Sequence, residues 1–310
     1  MGGQHLDYME LAHYPSWGSA LESHITAVRR VCKYIHDHLD ETIDLEDLAR
    51  VAYISPFHLH RIFNRLLGEN LKAYVRRLRL ERSAYELKIG DKPIIQIALD
   101  AGYNAHETFT RAFRKHFGIN PSIFRKKFGI DEENQGRRDC AEPLWIDTAG
   151  VEIKRLASMR FAYLRLIGPY ISCLTPESPN SPWRLLVKAL HMRKICLTDP
   201  KFLGICHDDP LITDGNHLRF DAAVLIPDEV NEDALIKVDH TEAGHYAIVN
   251  HRGSFHHLED SYHFMMHHWI LNSNYRLRNI PPFEIYKNSN QNSDGGIDIY
   301  IPVEPKGRKI

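Results

Sequence analysis

The sequence predicts two structural regions. The first is an all-α region built from two helix–turn–helix units, and the second is an α+β region in which a strand–strand–helix–strand–strand unit occurs twice. Apolar residues recur at helical spacing up to about residue 129 and alternate as in strands from Val151 onwards. A helix-pair pattern occurs twice in the first region, 50 residues apart, which indicates an internal repeat. The polar, aperiodic stretch 130–143 separates the two regions.

Length and composition are those of a globular protein of two domains. The chain has 310 residues, 43% of them hydrophobic and 25% charged, and no apolar run approaches the roughly 20 residues of a membrane span. The beginning of the sequence lacks the basic-then-apolar pattern of a signal peptide. The five cysteines contain no CxxC pair and are expected to be reduced thiols. We therefore expect a cytoplasmic protein with no membrane partner.

Charge is divided unevenly along the chain. Residues 21–129 carry 19 Lys and Arg against 13 Asp and Glu, a net +6, whereas residues 139–310 carry 18 against 22, a net −4. A basic domain favours a polyanionic partner, so the sequence predicts nucleic-acid binding for the first region only. The predicted domains are an N-terminal extension over 1–20, a helical domain over 21–129, a linker over 130–150 and an α+β domain over 151–305.

The second helix pair, from Pro93 to Phe128, carries the most specific motif. Pro93 suits a helix start, and Gly102 a helix end, because glycine readily takes the left-handed conformation. Asn104 is expected to cap the following helix, with Glu107 three residues later. The inner face of that helix presents Phe109, Phe113 and Phe117, and the outer face presents Thr110, Arg111, Arg114 and Lys115. A compact helix pair with a cationic outer helix is suited to the major groove of DNA.

This stretch resembles the signature of the AraC/XylS family of bacterial transcription regulators. The resemblance rests on Ala98, Gly102, Tyr103, Phe109, Arg111, Phe113, Arg114, Gly118, Pro121, Phe124 and Arg125. One departure is Ala105, at a position where small hydroxyl residues are usual. The resemblance implies double-stranded DNA and RNA polymerase as partners.

A first helix pair precedes it, from Asp44 to Leu67. Ser55 is a suitable N-cap and Pro56 a suitable first residue for its second helix. The pattern L-x-R-x-F at 59–63 matches F-x-R-x-F at 109–113, and a glycine follows each. The helix expected between the pairs, Leu71 to Ile89, is about 28 Å long. It could hold two recognition helices near one DNA turn of about 34 Å apart.

The AraC/XylS resemblance implies which side chains contact DNA. The base-facing candidates are Phe57, His60, Arg61, His106, Glu107, Thr110 and Arg111. Arginine can pair with guanine through two hydrogen bonds, although Arg61 and Arg111 are equally compatible with a structural role at neighbouring helix ends. The remaining DNA-binding candidates are Arg65, Arg76 and Lys126. Packing or surface solvation explains some arginines of the linking helix equally well.

The second region reads as eight strands interrupted by helices near 182–194 and 256–271. Its halves align at a separation of 85 residues, as in Gly168 with Gly253 and Tyr170 with Phe255. Such a duplication predicts a groove between the copies.

Residues 151–305 resemble the GyrI-like effector-binding domain, through R-F-A-x-x-R-x-x-G-x-Y from Arg160 and F-E-I-Y at 283–286. In ligand-binding members an acidic residue of that last strand faces an aromatic pocket, and Glu284 occupies its position. A buried, unpaired carboxylate is costly, and a cationic aromatic ligand would offset that cost, as in multidrug sensing. The alternative is that Glu284 is solvated or bonds a nearby tyrosine. The predicted pocket walls are Tyr163, Tyr170, Trp269, Tyr286 and Tyr300.

Histidines are frequent between 251 and 268. His256, Asp260, His263 and His267 share one helical face with metal-compatible spacing, but an ordinary His-rich helix surface explains them more simply. We predict no metal, no cofactor and no catalytic residues. The sequence favours a ligand-responsive DNA-binding regulator over an enzyme that hydrolyses a reactive small molecule, or a domain that contacts only protein.

Overall fold

The structure, a computed structural model, separates into two compact units, and the boundary between them in the chain lies between Lys127 and Phe128. The predicted extension over 1–20 and linker over 130–150 lie largely outside the described residues. Within the part of the chain that is described, no helix combines the length and apolar character needed to cross a membrane. The described residues are 19–130, 146, 150–170, 176, 181–232, 236–252, 255–287 and 296–306.

The first unit is helical, as the apolar periodicity predicts. Its first half comprises α1 (Ser19–Asp37), α2 (Leu45–Ala52), α3 (Pro56–Leu67) and α4 (Leu71–Ile89). These helices share one apolar core, which includes Val31, Ile35, Leu48, Leu59 and Phe63. The linking helix α4 has the predicted bounds. Asn70 caps it, since the Asn70 side chain accepts a hydrogen bond from the Ala73 amide at 2.9 Å.

The second half repeats the helix pair as α5 (Ile94–Asp100) and α6 (His106–Phe117), followed by α7 (Pro121–Phe128). Helices α3 and α6 have twelve residues each, begin 50 residues apart and end at glycines with positive φ, Gly68 at 72° and Gly118 at 77°. Their starts differ. The Ser55 hydroxyl accepts from the His58 amide, whereas the cap of α6 is Ala105, not Asn104, and no side chain caps it.

The second unit contains one antiparallel sheet. Its nine strands are β1 (Glu152–Leu156), β2 (Arg160–Ile167), β3 (Phe202–Cys206), β4 (Arg219–Leu225), β5 (Lys237–His240), β6 (Gly244–His251), β7 (Tyr275–Leu277), β8 (Phe283–Tyr286) and β9 (Ile297–Pro305). Eight correspond to the predicted strands. The ninth, β7, was not predicted, because a three-residue strand on β9 is too short to show alternation.

The strand order is β1-β6-β9-β8-β3-β4-β2-β5, with β7 on β9. From one edge the order is β1-β6-β9-β8, and from the other it is β5-β2-β4-β3. Apart from β7, strands of the same rank in the two halves therefore occupy equivalent places. At the centre β3 pairs with β8, and Gly204 lies opposite Glu284.

Helices lie on one face of this sheet. Helix α8 (Pro182–Met192) packs Leu186 and Leu190 onto Ala162 and Val224. The second helical segment, α9 (Leu258–Phe264), continues as a π-helical turn over Met265–Trp269. The opposite face carries a separate apolar cluster that includes Phe161, Tyr163, Tyr246 and Phe283. We call these the helix face and the open face.

Candidate nucleic-acid interface and ligand site

Helices α3 and α6 present polar and aromatic side chains to solvent at equivalent positions. Their inner residues, such as Phe63 and Phe113, are fully buried, so the helices are anchored by one face. Phe57, at the start of α3, is 80% exposed. The other predicted contact residues that are exposed are His60, Arg61, Arg65, His106, Glu107 and Arg111.

Arg61 and Arg111 occupy matching places on the two exposed helix faces. Neither guanidinium forms a hydrogen bond or ion pair with the residues that the structure describes. Both remain available to a partner. Thr110 differs, because it is only partly exposed and its Oγ1 is buried without a hydrogen-bond partner in the described chain.

The arginines of α4 are divided between structural and free roles. Arg77 is held by Glu69 and Glu81, with its Nη2 2.6 Å from Glu69 Oε1. The Nε of Arg79 donates to the Leu39 carbonyl at 3.0 Å, and Arg82 forms an ion pair with Asp40 at 2.6 Å. Arg76 is exposed, as is Lys126 on α7. Packing therefore explains three of the four arginines of this helix.

The ligand candidate Glu284 is buried on the helix face of the sheet, with 1% of its surface exposed. The Tyr262 hydroxyl donates to Oε1 at 3.1 Å, and the Tyr286 hydroxyl donates to Oε2 at 2.5 Å. The Cys206 thiol lies 3.8 Å from Oε1 in donor geometry. The carboxylate is thus not solvated, and the tyrosine-bonded arrangement that the sequence left open is the observed one.

Burial raises the pKa of Glu284 to about 7, because removal from water disfavours the charged form. Hydrogen bonds from Tyr286, Tyr262 and Cys206 act in the opposite direction and limit the rise of this pKa. Burial also raises the pKa of Tyr262 well above its ordinary value, so its hydroxyl stays protonated and remains a donor. No cation faces Glu284 among its described hydrogen-bonding partners, so its charge is balanced only by neutral donors.

An aromatic shell surrounds this carboxylate. Trp183 of α8 is fully buried, donates from Nε1 to the Leu203 carbonyl at 2.7 Å and packs edge-on against Tyr286 and Phe220. The absence of a side chain at Gly204 makes room for them. A Cβ at this position would lie 2.6 Å from Phe220 Cζ and 2.9 Å from the Tyr286 hydroxyl.

Two of the five predicted pocket walls lie on the sheet face opposite Glu284. Tyr163 and Tyr300 belong to the open face, since Tyr163 packs in the Phe161 cluster and Tyr300 stacks on Phe283 at 4.6 Å. Residue 283 precedes Glu284 on β8, and adjacent strand residues point to opposite faces. Sequence alternation gives the period of each strand but not which phase faces the helices.

The other three predicted pocket walls are Tyr286, Tyr170 and Trp269, and each has different surroundings. Tyr286 contacts Glu284 directly. Tyr170 lies on the helix face, edge-on to Phe220, and its hydroxyl donates to the Asp208 carbonyl at 2.8 Å. Trp269 is half-buried at the end of the π-helical turn, seven residues after Tyr262. Tyr286 and Tyr170 therefore belong to the neighbourhood of Glu284.

Sequence reasoning missed Tyr262, Trp183 and Cys206. Tyr262 and Trp183 come from helices whose rotation over the sheet no periodicity determines. Cys206 could have been found, because it lies two strand residues after Gly204 and so shares its face.

The histidines between residues 251 and 268 form separate contacts. The rings of His263 and His267 stack at 4.7 Å, and His257 approaches Asp260. The side chain of His256 lies outside the described residues. Within the described chain, no group of three or more His, Cys, Asp or Glu residues is close enough to share a metal ion.

Comparison with known families matches both regions. Residues 150–304 match the family described as GyrI-like small molecule binding domain, and residues 48–127 match a helix-turn-helix domain. The first match includes β1 to β8 and nearly all of β9, and the second runs from within α2 to within α7.

Individual similar proteins match about a third of this chain. Right origin-binding protein of Escherichia coli K12 is 36% identical over 108 residues, which cover 33% of this chain and 37% of that protein. Regulatory protein SoxS of Salmonella typhimurium is 32% identical over 105 residues, which cover 34% of this chain and 98% of SoxS. Among solved structures, the C-terminal domain of AraT from Geobacillus stearothermophilus is 32% identical, covers 34% of this chain and 88% of that chain, and has a TM-score of 0.33.

Proposed function

The chain belongs to the AraC-type helix–turn–helix regulators and carries a GyrI-like small-molecule-binding domain, and from this premise we propose that it is a sequence-specific transcription regulator controlled by a small effector. The alignment spans little more than a third of right origin-binding protein, so the activity of the whole chain is a proposal. We assign DNA binding to residues 21–129 and effector binding to residues 151–305.

The repeated helix pair supports the DNA-binding proposal. Two twelve-residue helices expose matching arginines at 61 and 111, and both guanidinium groups are unused by the described protein. Unpaired arginines on a helix that presents its outer face are suited to guanine edges in the major groove. RNA polymerase remains a predicted partner, on family resemblance alone.

We also propose that the second domain arose by duplication of a single unit within it. The equivalent order of strands from the two sheet edges supports it, and β7 is the strand without a counterpart. The two copies then meet at β3 and β8, where Gly204 and Glu284 are paired. The site lies at that junction, as in other domains that bind ligands between repeated halves.

The effector proposal rests on one observation, which is a buried carboxylate that has aromatic neighbours and neutral hydrogen-bond donors but no described cationic partner. A buried carboxylate is destabilising unless a positive charge or strong hydrogen bonds compensate. A planar cation would supply the charge to Glu284 and would stack on the aromatic shell. A cationic aromatic effector is therefore the class that this site favours.

The test is Glu284→Gln, which keeps the shape of the side chain and removes its charge. We expect binding of cationic aromatic probes to weaken by at least about 1.5 kcal/mol, the scale of a hydrogen bond to a charged group. Calorimetry on a panel of cationic, neutral and anionic aromatic compounds measures this. DNA affinity of the unliganded variant should not change, because Glu284 lies in the other compact unit.

A variant that binds all three classes like the parent would remove Glu284 as the anchor. The enzymatic alternative predicts turnover of a bound compound, which product analysis on the purified protein would detect. The protein-interaction alternative predicts that no aromatic class binds at all.

A further inference from the structure

An arginine of the linking helix α4 contacts segments that belong to both helix pairs. Arg79 donates from Nε to the Leu39 carbonyl at 3.0 Å and from Nη2 to the Glu41 carbonyl at 2.6 Å. These carbonyls lie in the loop between α1 and α2. The Nη1 of Arg79 lies against Gly102, in the turn between α5 and α6, where an added Cβ would approach that nitrogen to 2.7 Å. One guanidinium group therefore joins the loop that leads into the first helix pair to the turn of the second.

A second arginine makes the same connection three residues further along α4. Arg82 forms an ion pair with Asp40 at 2.6 Å, and its Nη2 donates to the Asp100 carbonyl at 3.2 Å. Asp40 lies in the loop before α2, and Asp100 is the last residue of α5. Residues three apart on a helix share a face, so Arg79 and Arg82 lie side by side. We call their contacts with residues 39–41 and 100–102 the arginine seam.

We propose that Arg79 and Arg82 are positioning residues that hold the two recognition helices in one relative orientation, so that the protein accepts its two DNA segments at a single spacing. The proposal rests on the proposed function, because it concerns how the same helices read DNA. The turn at Gly102 leads into α6, and residues 39–41 lead into the helix pair that contains α3. The arginine seam therefore restricts rotation of α6 relative to α3.

The seam adds direction to a junction that is otherwise apolar. Leu78 of α4 packs in the core of the first half, and Leu80 and Ala84 are buried further along the same helix. Apolar burial stabilises contact without fixing an angle, because the hydrophobic effect is not directional. A guanidinium group presents five donors in a fixed plane, so its hydrogen bonds do fix an angle. Loss of these bonds should loosen the orientation of the two helix pairs more than their attachment.

The geometry of DNA makes this orientation measurable. A duplex turn of about 34 Å contains about 10 base pairs, so one inserted base pair shifts a binding segment by about 3.4 Å and rotates it by about 34°. A rigid pair of reading helices loses contacts at one segment when the spacing changes. A loosely joined pair follows the displaced segment and keeps them.

Helix α4 also supplies a matched control. Arg77 forms ion pairs with Glu69 at 2.6 Å and with Glu81 at 3.2 Å. Glu69 lies between α3 and α4, and Glu81 lies on α4 itself. These ion pairs do not join the two helix pairs. Replacement of Arg77 therefore tests the loss of a partly buried arginine from the same helix without loss of the seam.

The experiment measures how binding depends on spacing. The full-length parent selects a preferred duplex from a random-sequence library, and footprinting locates the two segments that it contacts. Duplexes with no, one or two base pairs inserted between these segments are then titrated with the parent, Arg77→Gln, Arg79→Gln and Arg82→Gln. We expect one inserted base pair to weaken binding of the parent and of Arg77→Gln at least about tenfold, within the range of a lost base contact. In Arg79→Gln and Arg82→Gln the same insertion should weaken binding less than about threefold, because the second helix pair can follow its segment.

A milder variant guards against misfolding. The Asp40 side chain is 77% exposed, so Asp40→Asn removes the ion pair with Arg82 and leaves both arginines in place. It should relax the spacing preference in the same direction by a smaller factor. Seam variants that lose affinity equally at every spacing, or that keep the spacing preference of the parent, would overturn the proposal. A parent that tolerates the insertions overturns it too, but leaves sequence-specific binding intact. A parent that selects no sequence rejects the proposed function as well.

Discussion

The buried carboxyl group of Glu284 differs from that of Asp221, which is paired with Arg165. The charge of Glu284 is unfavourable where it lies, because Tyr262, Tyr286 and Cys206 donate hydrogen bonds to it but bring no positive charge. Such a group can stay protonated in the free protein and ionise when a cation arrives. If a cationic effector binds here as proposed, its binding should release a proton from Glu284.

This linkage predicts a pH dependence of effector binding. With the pKa of Glu284 raised to about 7, the ionised form is the minor species at pH 6 and the major species at pH 8. A cation that binds only the carboxylate form should therefore bind roughly tenfold more weakly at pH 6 than at pH 8. Calorimetry in buffers of different ionisation enthalpy would also detect the released proton. An affinity that does not vary with pH would show that the effector does not use this carboxylate.

Glu284 makes the protein less stable as pH rises, whereas an ordinary paired carboxylate makes it more stable. Because the folded pKa lies above the ordinary value of 4.5, the folded protein binds more protons between the two values, and stability falls as pH rises through this window. Glu284→Gln should abolish this loss of stability, which amounts to about 3 kcal/mol of unfolding free energy over the whole pH window. The free energy of unfolding, measured by tryptophan fluorescence, should rise in the variant relative to the parent from pH 5 to pH 8.

Two arginines are expected to read DNA sequence. Arg61→Ala and Arg111→Ala should each lose about 1–3 kcal/mol of discrimination between the operator and a mismatched site, the value of a bidentate base contact. Arg76→Ala and Lys126→Ala should weaken all sequences alike and lower the salt dependence, as phosphate contacts do. Titrations of labelled duplexes at several salt concentrations would measure both effects. Unchanged discrimination in both arginine variants would assign these residues to the protein scaffold.

At the scale of elements, the two recognition helices differ most at their starts. Ser55 caps α3 with its hydroxyl, whereas Ala105, 50 residues later, has an extended conformation with φ of −142° and ψ of 137° and offers no acceptor. An extended cap residue is the geometry from which serine bonds a helix amide. Helix α6 therefore begins with amides that lack a side-chain partner in the described chain.

Ala105→Ser should stabilise the helical domain by about 1 kcal/mol, the typical contribution of an N-cap. Ser55→Ala is the matched reverse change and should lower the free energy of unfolding by about the same amount. Both are measured as free energies of unfolding by circular dichroism at 222 nm, where the helical domain dominates the change. Two variants that shift stability in the same direction would contradict the capping argument.

The elements were largely predictable, and their mutual orientation was not. Proline, serine and glycine at helix ends specify α3 through local backbone preferences, and α4 agrees at both bounds. The faces of Tyr163 and Tyr300 depend on long-range strand pairing, which determines the phase of each strand. Tyr262 reaches Glu284 only because α9 packs over the sheet, a contact with no local signal.

At the scale of the whole molecule, the chain divides into two compact units, with the boundary between residues 127 and 128. The helical unit has its own apolar core, which Leu59, Phe63 and Leu78 join with residues of α1. About a third of this chain aligns with 98% of SoxS. Because it has its own core, we expect the helical unit to fold independently.

A fragment that ends at Ile130 should fold and bind DNA without the second domain. Both helix pairs and the linking helix α4 are inside it, and the buried Arg77 network with Glu69 and Glu81 stays complete. We expect circular dichroism of a helical protein that unfolds cooperatively, and affinity for duplex DNA that falls steeply with salt. The effector should no longer alter that affinity, since Glu284 is absent. A soluble, helical fragment with no affinity for DNA at low salt would show that DNA binding needs both units.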